Sequence, residues 1–213
     1  MATNDLRISE NDWKLMKKQF AASFRGKQPS ETGIIGIFST CHGKNNNEFC
    51  LAKVFWPKPS DFKVAQNQSL VFDAGYIRRA HLFMRKECLS GLAVFHTHTM
   101  AGSRVGFSAF DDYEEPLMLA NLIELEPKTQ LLSVVVGKDS QQGRIWYAPN
   151  QKTLLNRIVI VGESISYHSL GGAPLPLPSA PAAAFDRGLA ITGAGALAKL
   201  SELRIAVVGA SGT

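Results

Sequence analysis

The apolar positions of the chain change period several times. In "SENDWKLMKKQFAASF", Trp13, Met16, Phe20 and Phe24 recur at helical spacing behind Ser9 and Asp12, a capping pair, so the segment predicts an amphipathic helix closed near Gly26. "TGIIGIFS" and "EFCLAKVFW" are short runs of β-formers separated by the polar turn "HGKNNNE", which predicts an antiparallel hairpin. A loop carrying Pro57 and Pro59 follows. "AGYIRRAHLFMRKECLSG" then sets Tyr76, Ile77, Ala80, Phe83 and Met84 on one helical face and ends near Gly91. "LAVFHTHT" reads as a strand, "EPLMLANLIELE" as a helix with Pro116 in its first turn, "QLLSVVVG" and "GRIWYA" as strands, and "NRIVIVGES" as a last strand. The order predicts an α/β fold, a mixed sheet with helices packed against it.

The pattern changes character at Ser169. "SLGGAPLPLPSAPAAA" is rich in proline and almost without charge, which predicts an extended linker over 169–184. "FDRGLAITGAGALAKLSELRIAVVGASGT" then resumes a helix-like pattern and runs through the buried-strand signal "LRIAVVG" into a glycine turn. With 213 residues, 45% of them hydrophobic, the chain has material for one domain of ordinary size over 1–168 and not for a second complete one.

Charge and cysteine content narrow the classes. The net charge of +5 comes partly from Lys14, Lys17, Lys18, Arg25 and Lys27 and partly from Arg78, Arg79, Arg85 and Lys86. These read as solvated helix faces, because no basic stripe is interleaved with aromatics, so nucleic acid is not the expected partner. Cys41, Cys50 and Cys88 follow no CxxC spacing, which predicts reduced thiols rather than a disulfide framework or a thiolate zinc knuckle. No long apolar run and no signal peptide are visible, and the expected compartment is the cytoplasm.

Candidate chemistry concentrates in "VFHTHTMAGSRVGFSAFD". On a strand, residues i and i+2 share a face, so His96 and His98 present both imidazoles to one point. Asp111 can return to that point across a glycine-containing loop. Two imidazoles and a carboxylate leave one tetrahedral position open, the arrangement of a catalytic zinc ion. Such a hydrolase needs a further base, and Glu31, Glu48 and Glu87 are the upstream candidates. The competing structural reading is plain: Ser108 and Asp111 also form a helix cap, and a His-X-His pair can be two hydrogen-bonded imidazoles on a strand. His42, His81 and His168 have no partner at ligand spacing and read as surface or helix residues.

Glu31, the "HTH" of His96–His98 and the "SAFD" of Ser108–Asp111 together resemble the JAMM (MPN-plus) metalloproteases, over about Ile8 to His168. "SETGIIGI" resembles the family's glutamate-then-glycine opening of its first strand, and this selects Glu31. The resemblance implies a mixed, mostly antiparallel MPN/JAB sheet, similar to the cytidine deaminases, with one catalytic Zn2+ held by His96, His98 and Asp111. It implies Glu31 as general base and acid and Ser108 as an oxyanion-stabilising hydroxyl. It further implies cleavage after the Gly-Gly tail of a ubiquitin-like modifier, as deconjugation or precursor processing. Thr99 and Phe107 stand where the family commonly has proline, and the loop between His98 and Ser108 is longer than the family's.

Residues 185–213 resemble the start of a ThiF-like adenylating domain, with Gly209 and Gly212 in its nucleotide loop and Ser211 where the family usually has glycine. Ending at Thr213, inside that loop, the segment is expected to be the truncated start of a Rossmann-type domain in a protease–activating-domain fusion. The fusion implies a ThiF-like domain acting in cis, a bacterial ubiquitin-like conjugation system, and a setting such as antiphage defence. A sulfur-carrier processing peptidase and a non-catalytic MPN module that recruits the modifier are the alternatives.

Overall fold

The computed structural model describes residues 3–25, 29–43, 46–67, 69–101 and 104–171. The expected linker beyond residue 171 and the ThiF-like segment 185–213 lie outside the described residues, as does Gly26. The rest is an α/β fold. A nine-stranded mixed sheet has the order β11-β10-β1-β3-β2-β6-β7-β8-β9, with three of its pairings parallel and five antiparallel. Its strands are β1 (Thr3–Ser9), β2 (Gly33–His42), β3 (Asn46–Phe55), β6 (Gly91–Thr97), β7 (Gln130–Val136), β8 (Gln141–Ala148), β9 (Gln151–Leu154), β10 (Arg157–Val161) and β11 (Ile165–Ser169). A separate hairpin joins β4 (Phe62–Gln66) to β5 (Ser69–Phe72).

The two faces of the sheet carry different helices. α1 (Glu10–Ser23) lays Trp13, Met16 and Phe20 on Leu6, Ile34, Phe38, Phe95 and Val134. Burying large side chains of this kind contributes roughly 1.5–3 kcal/mol each. On the opposite face, α2 (Ala74–Lys86) supplies Tyr76, Ala80 and Met84, and α3 (Ala109–Leu125) supplies Leu119 and Leu122, against Ile35, Ile37, Leu92, Val94 and Leu131. β6 is buried along its whole length and β2 over its first six residues, with both faces covered, which is why these strands read as unbroken apolar runs. The Tyr76 hydroxyl accepts from Ile35 N at 3.0 Å and donates to the Phe55 carbonyl, so it sits between two strands that would otherwise bond directly.

Several expectations are corrected. The strand opened by Glu31 is not the first: "TNDLRIS" forms β1, which lies parallel to both β3 and β10. The segment around Pro57 and Pro59 is not only a loop, since a 3-10 turn at Pro59–Asp61 leads into the β4–β5 hairpin. α2 stops at Lys86, and Cys88 takes φ +52° in the turn that follows. The strand over "NRIVIVGES" is followed by β9's mirror at the other sheet edge, β11, which pairs antiparallel with it. Pro116 lies in the interior of α3, because that helix starts at its Ser108 cap rather than at Glu115. The three cysteines are free thiols. Among the described residues, no helix is long and apolar enough to cross a membrane.

Candidate metal centre

β6 is buried along its whole length and paired to β2 and β7, which fixes its C-terminal end. His96 shares the face of Val94, toward α2 and α3. The strand ends at Thr97, so His98 lies one residue past it, and its N–H donates to the Val136 carbonyl at 3.0 Å. The two imidazoles nonetheless meet: His96 Nε2 stands 3.2 Å from His98 Nε2. Asp111 completes the group, with Oδ1 3.1 Å from His96 Nε2 and Oδ2 3.3 Å from His98 Nε2. Three donors bound to one tetrahedral zinc ion at about 2.0–2.1 Å stand about 3.3 Å from one another. The two imidazole nitrogens stand at about that distance, Asp111 meets each of them through a different oxygen, and with one donor atom taken per residue the three lie within 4.8 Å of one another. Imidazole and carboxylate are donor types that zinc takes.

Asp111 reaches this point because it is the third residue of α3. Ser108 caps the helix, its Oγ accepting from Asp111 N at 3.2 Å, while Ser108 N and Oγ donate to Asp111 Oδ2 at 2.6 and 2.8 Å. The carboxylate is thus oriented from behind, as the outer partners of metal ligands usually are. Burial alone raises the proton affinity of Asp111, but hydrogen bonds from His96 and His98 and from the Ser108 N–H hold its carboxyl far below the ordinary carboxylate range. Burial lowers that of His98, and the Asp111 carboxylate more than reverses this, leaving the imidazole above its ordinary value.

Glu31 is placed by the β2–β6 ladder. Gly33 pairs with His96, and the ladder continues past the strand ends as Thr97 N donates to Thr32 O at 2.9 Å and Thr32 N to Thr97 Oγ1 at 3.0 Å. This register sets Glu31 opposite His98, on the same face as both histidines. Glu31 N also donates to Gln66 O at 2.8 Å, at the tip of the β4–β5 hairpin. The side chain is 8% exposed and stands outside the three-ligand group. Burial pushes its carboxyl above the usual range, offset by His98 and His96 and reinforced by Asp111.

Gly33 has a steric reason. A Cβ there would come within 2.5 Å of the Phe72 ring and 2.7 Å of Leu70, so the bare backbone lets β5 pack beside His96. Thr32 and Thr97, which bond the two strand ends to each other, flank residues singled out from the sequence but carried no signal of their own there. The remaining candidates lie elsewhere. Glu48 pairs with Arg7 at 2.7 Å, and Glu87 caps the C-terminus of α2. His42 Nδ1 lies 2.9 Å from Asn47 Oδ1, His81 is buried on α2, and the His168 ring on β11 lies 5.6 Å from that of Trp13.

These residues define an α/β protein with a His-His-Asp cluster at one end of a mixed sheet. No protein-family model matches the chain, and no curated protein matches it. Among solved structures it is similar to a protein from Salinibacter ruber (strain DSM 13855) determined in solution. The identity is 16%, over 83% of this chain and 97% of that one, with a TM-score of 0.29. A score of that size assigns no fold.

Proposed function

We propose that the chain is a zinc-dependent peptidase or isopeptidase of the JAMM (MPN-plus) type, acting after the Gly-Gly tail of a ubiquitin-like modifier. The observation that carries this reading is the convergence of His96, His98 and Asp111, whose donor atoms lie within 4.8 Å of one another, with a buried carboxyl, Glu31, on the same face and outside the ligand set. A zinc ion held by these three would act as a Lewis acid and acidify water. Glu31 takes the proton of the attacking water and returns it to the leaving amine, and its raised proton affinity suits it to both transfers. The Ser108 hydroxyl donates to Asp111, which orients the ligand; to stabilise an oxyanion it must turn away from that carboxylate. The nine-stranded mixed, mostly antiparallel sheet, and the position of Glu31 just before β2, the strand paired to the one that leads into the two histidines, support an MPN-type arrangement.

The ThiF-like resemblance of residues 185–213 belongs to the same proposal: a protease joined in cis to an adenylating domain, in a bacterial conjugation pathway of the kind used in antiphage defence. The test combines zinc content with cleavage of a modifier fusion. The parent chain is expected to hold about one zinc and to cut after Gly-Gly. Glu31→Ala is expected to hold the same zinc and to cut about 10²–10⁴-fold more slowly. Equal cutting by Glu31→Ala removes the assigned mechanism, and a chain that binds zinc and cuts no modifier leaves a binding module. Parallel fusions of a ubiquitin-like and a sulfur-carrier protein separate the two pathways.

A further inference from the structure

We propose that Arg144 is a positioning residue for the metal centre: one buried guanidinium holds both sides of the α3 N-terminus and so sets where Ser108 and Asp111 point. The inference rests on the metal-site reading above. A helix N-terminus is commonly fixed by an apolar contact between the residue before the cap and the fourth helical residue. Here those positions are Phe107 and Asp112, an aromatic ring and a carboxylate, which cannot make that contact. Arg144, on β8, joins them instead. Its guanidinium carbon lies 3.7 Å from the Phe107 ring centroid, and Nη1 lies 2.5 Å from Asp112 Oδ1. Its Nε donates to Glu115 Oε2 at 2.7 Å, one turn further on, where Trp146 Nε1 also donates at 2.6 Å.

Three features make this grip one of placement. The side chain is 3% exposed, and buried ion pairs generally recover little net stability from their desolvation. The network is also incompletely bonded, since Arg144 Nη2 and Glu115 Oε1 have no hydrogen-bond partner among the described residues. Finally, the helix needs a brace at this turn: Pro116 has no N–H to give to the Asp112 carbonyl. The chain approaching the cap is tied to the same strand region, with Val105 N donating to Ser140 Oγ at 2.8 Å and Phe107 N to Gln142 Oε1 at 3.4 Å. The Phe107 ring in turn lies 6.5 Å from that of His96. A planar guanidinium can meet two carboxylates and a ring face at once, which a lysine ammonium cannot.

A matched control exists in the same chain. Arg157, on β10, pairs with Asp5 Oδ2 at 2.8 Å beneath the Tyr167 ring at 4.9 Å, with four strand steps between β10 and β6. The experiment titrates Co2+ into the metal-free full chain and reads affinity and the visible absorption of the bound ion, with folding checked by circular dichroism. Arg144→Met is expected to bind Co2+ about 10-fold more weakly and to alter the absorption bands, as loss of an outer partner does, whereas Arg157→Met keeps both. Phe107→Leu, which leaves every charge paired, serves if Arg144→Met does not fold, and is expected to shift the bands in the same direction. Unchanged affinity and bands in the folded Arg144→Met or Phe107→Leu protein overturn the proposal while the metal site stands. Equal losses in Arg157→Met overturn it too, by showing a general stability effect. A parent chain that binds no Co2+ removes the metal reading and this inference together.

Discussion

The chain contains two Ser-X-X-Asp steps, and they do the same local job with different consequences. Ser9 caps α1 and Ser108 caps α3, each accepting from the backbone N–H of its aspartate, at 3.1 and 3.2 Å. At the first cap the half-buried Asp12 carboxylate accepts from the Ser9 hydroxyl, at 2.6 Å. At the second, Asp111 faces two imidazoles while its own cap holds it from behind. The local motif is therefore indifferent to function. What separates the two caps is the end of a buried strand brought opposite the second one.

The comparison breaks most sharply at the aspartates. Asp111→Ala is expected to lose bound zinc, with affinity down by more than the roughly 100-fold that loss of an outer partner costs, and to stop cleavage. Asp12→Ala should keep about one zinc per chain by elemental analysis. Zinc bound by the Asp12→Ala chain would leave the contrast intact, and zinc bound equally by Asp111→Ala would erase it.

Next in size is the response to the metal itself. Zinc at about 1,000 times its dissociation constant should stabilise the parent chain by roughly 4 kcal/mol, or about 8–16 °C in Tm for a domain of this size. The Asp12→Ala chain should show the same rise by calorimetry and the Asp111→Ala chain should show almost none. An equal rise in all three would point to zinc bound elsewhere.

The smallest effects lie in the serines. Ser9→Ala and Ser108→Ala should each cost about 1 kcal/mol in urea unfolding of the metal-free chain, the usual worth of an N-cap. Only Ser108→Ala should also weaken zinc binding, by roughly 10-fold, because it removes the hydroxyl that helps orient a ligand while keeping the backbone N–H. If both serines leave zinc affinity unchanged, the hydroxyl of Ser108 has no part in holding Asp111.

The same contrast explains what the sequence disclosed. The helices α1 and α2 and the strands β2, β3, β6, β7, β8 and β10 carry strong apolar periods and were legible. β9 is exposed at every residue and has no hydrophobic face to announce it, while the β4–β5 hairpin is short and buried only in part, so its apolar positions make a weak signal. β1 blends into the capping signal of α1, and its partners are non-local parallel strands. In the site, the i, i+2 spacing of His96 and His98 was readable, whereas Asp111 was indistinguishable from a cap until its neighbours were known. Arg144 was invisible: it reads as one polar residue in "GRIWYA", and Asp112, which it holds, is 32 residues away.

The parallel seating of β1 between β3 and β10 also orders events in time. Asp5 to Ser9 pair with Arg157 to Val161, and Asn4 N bonds Asn156 Oδ1 across 152 residues of sequence. The strand made earliest therefore waits longest for one of its two neighbours, and during synthesis it stands as a bare sheet edge able to recruit other chains. β2 and β6, whose ends position Glu31 and the two histidines, can pair with each other well before that. Assembly of the chemistry thus precedes closure of the sheet, and ribosome-stalled chains stopped before Arg157 should already join β2 to β6 while remaining prone to aggregate through β1.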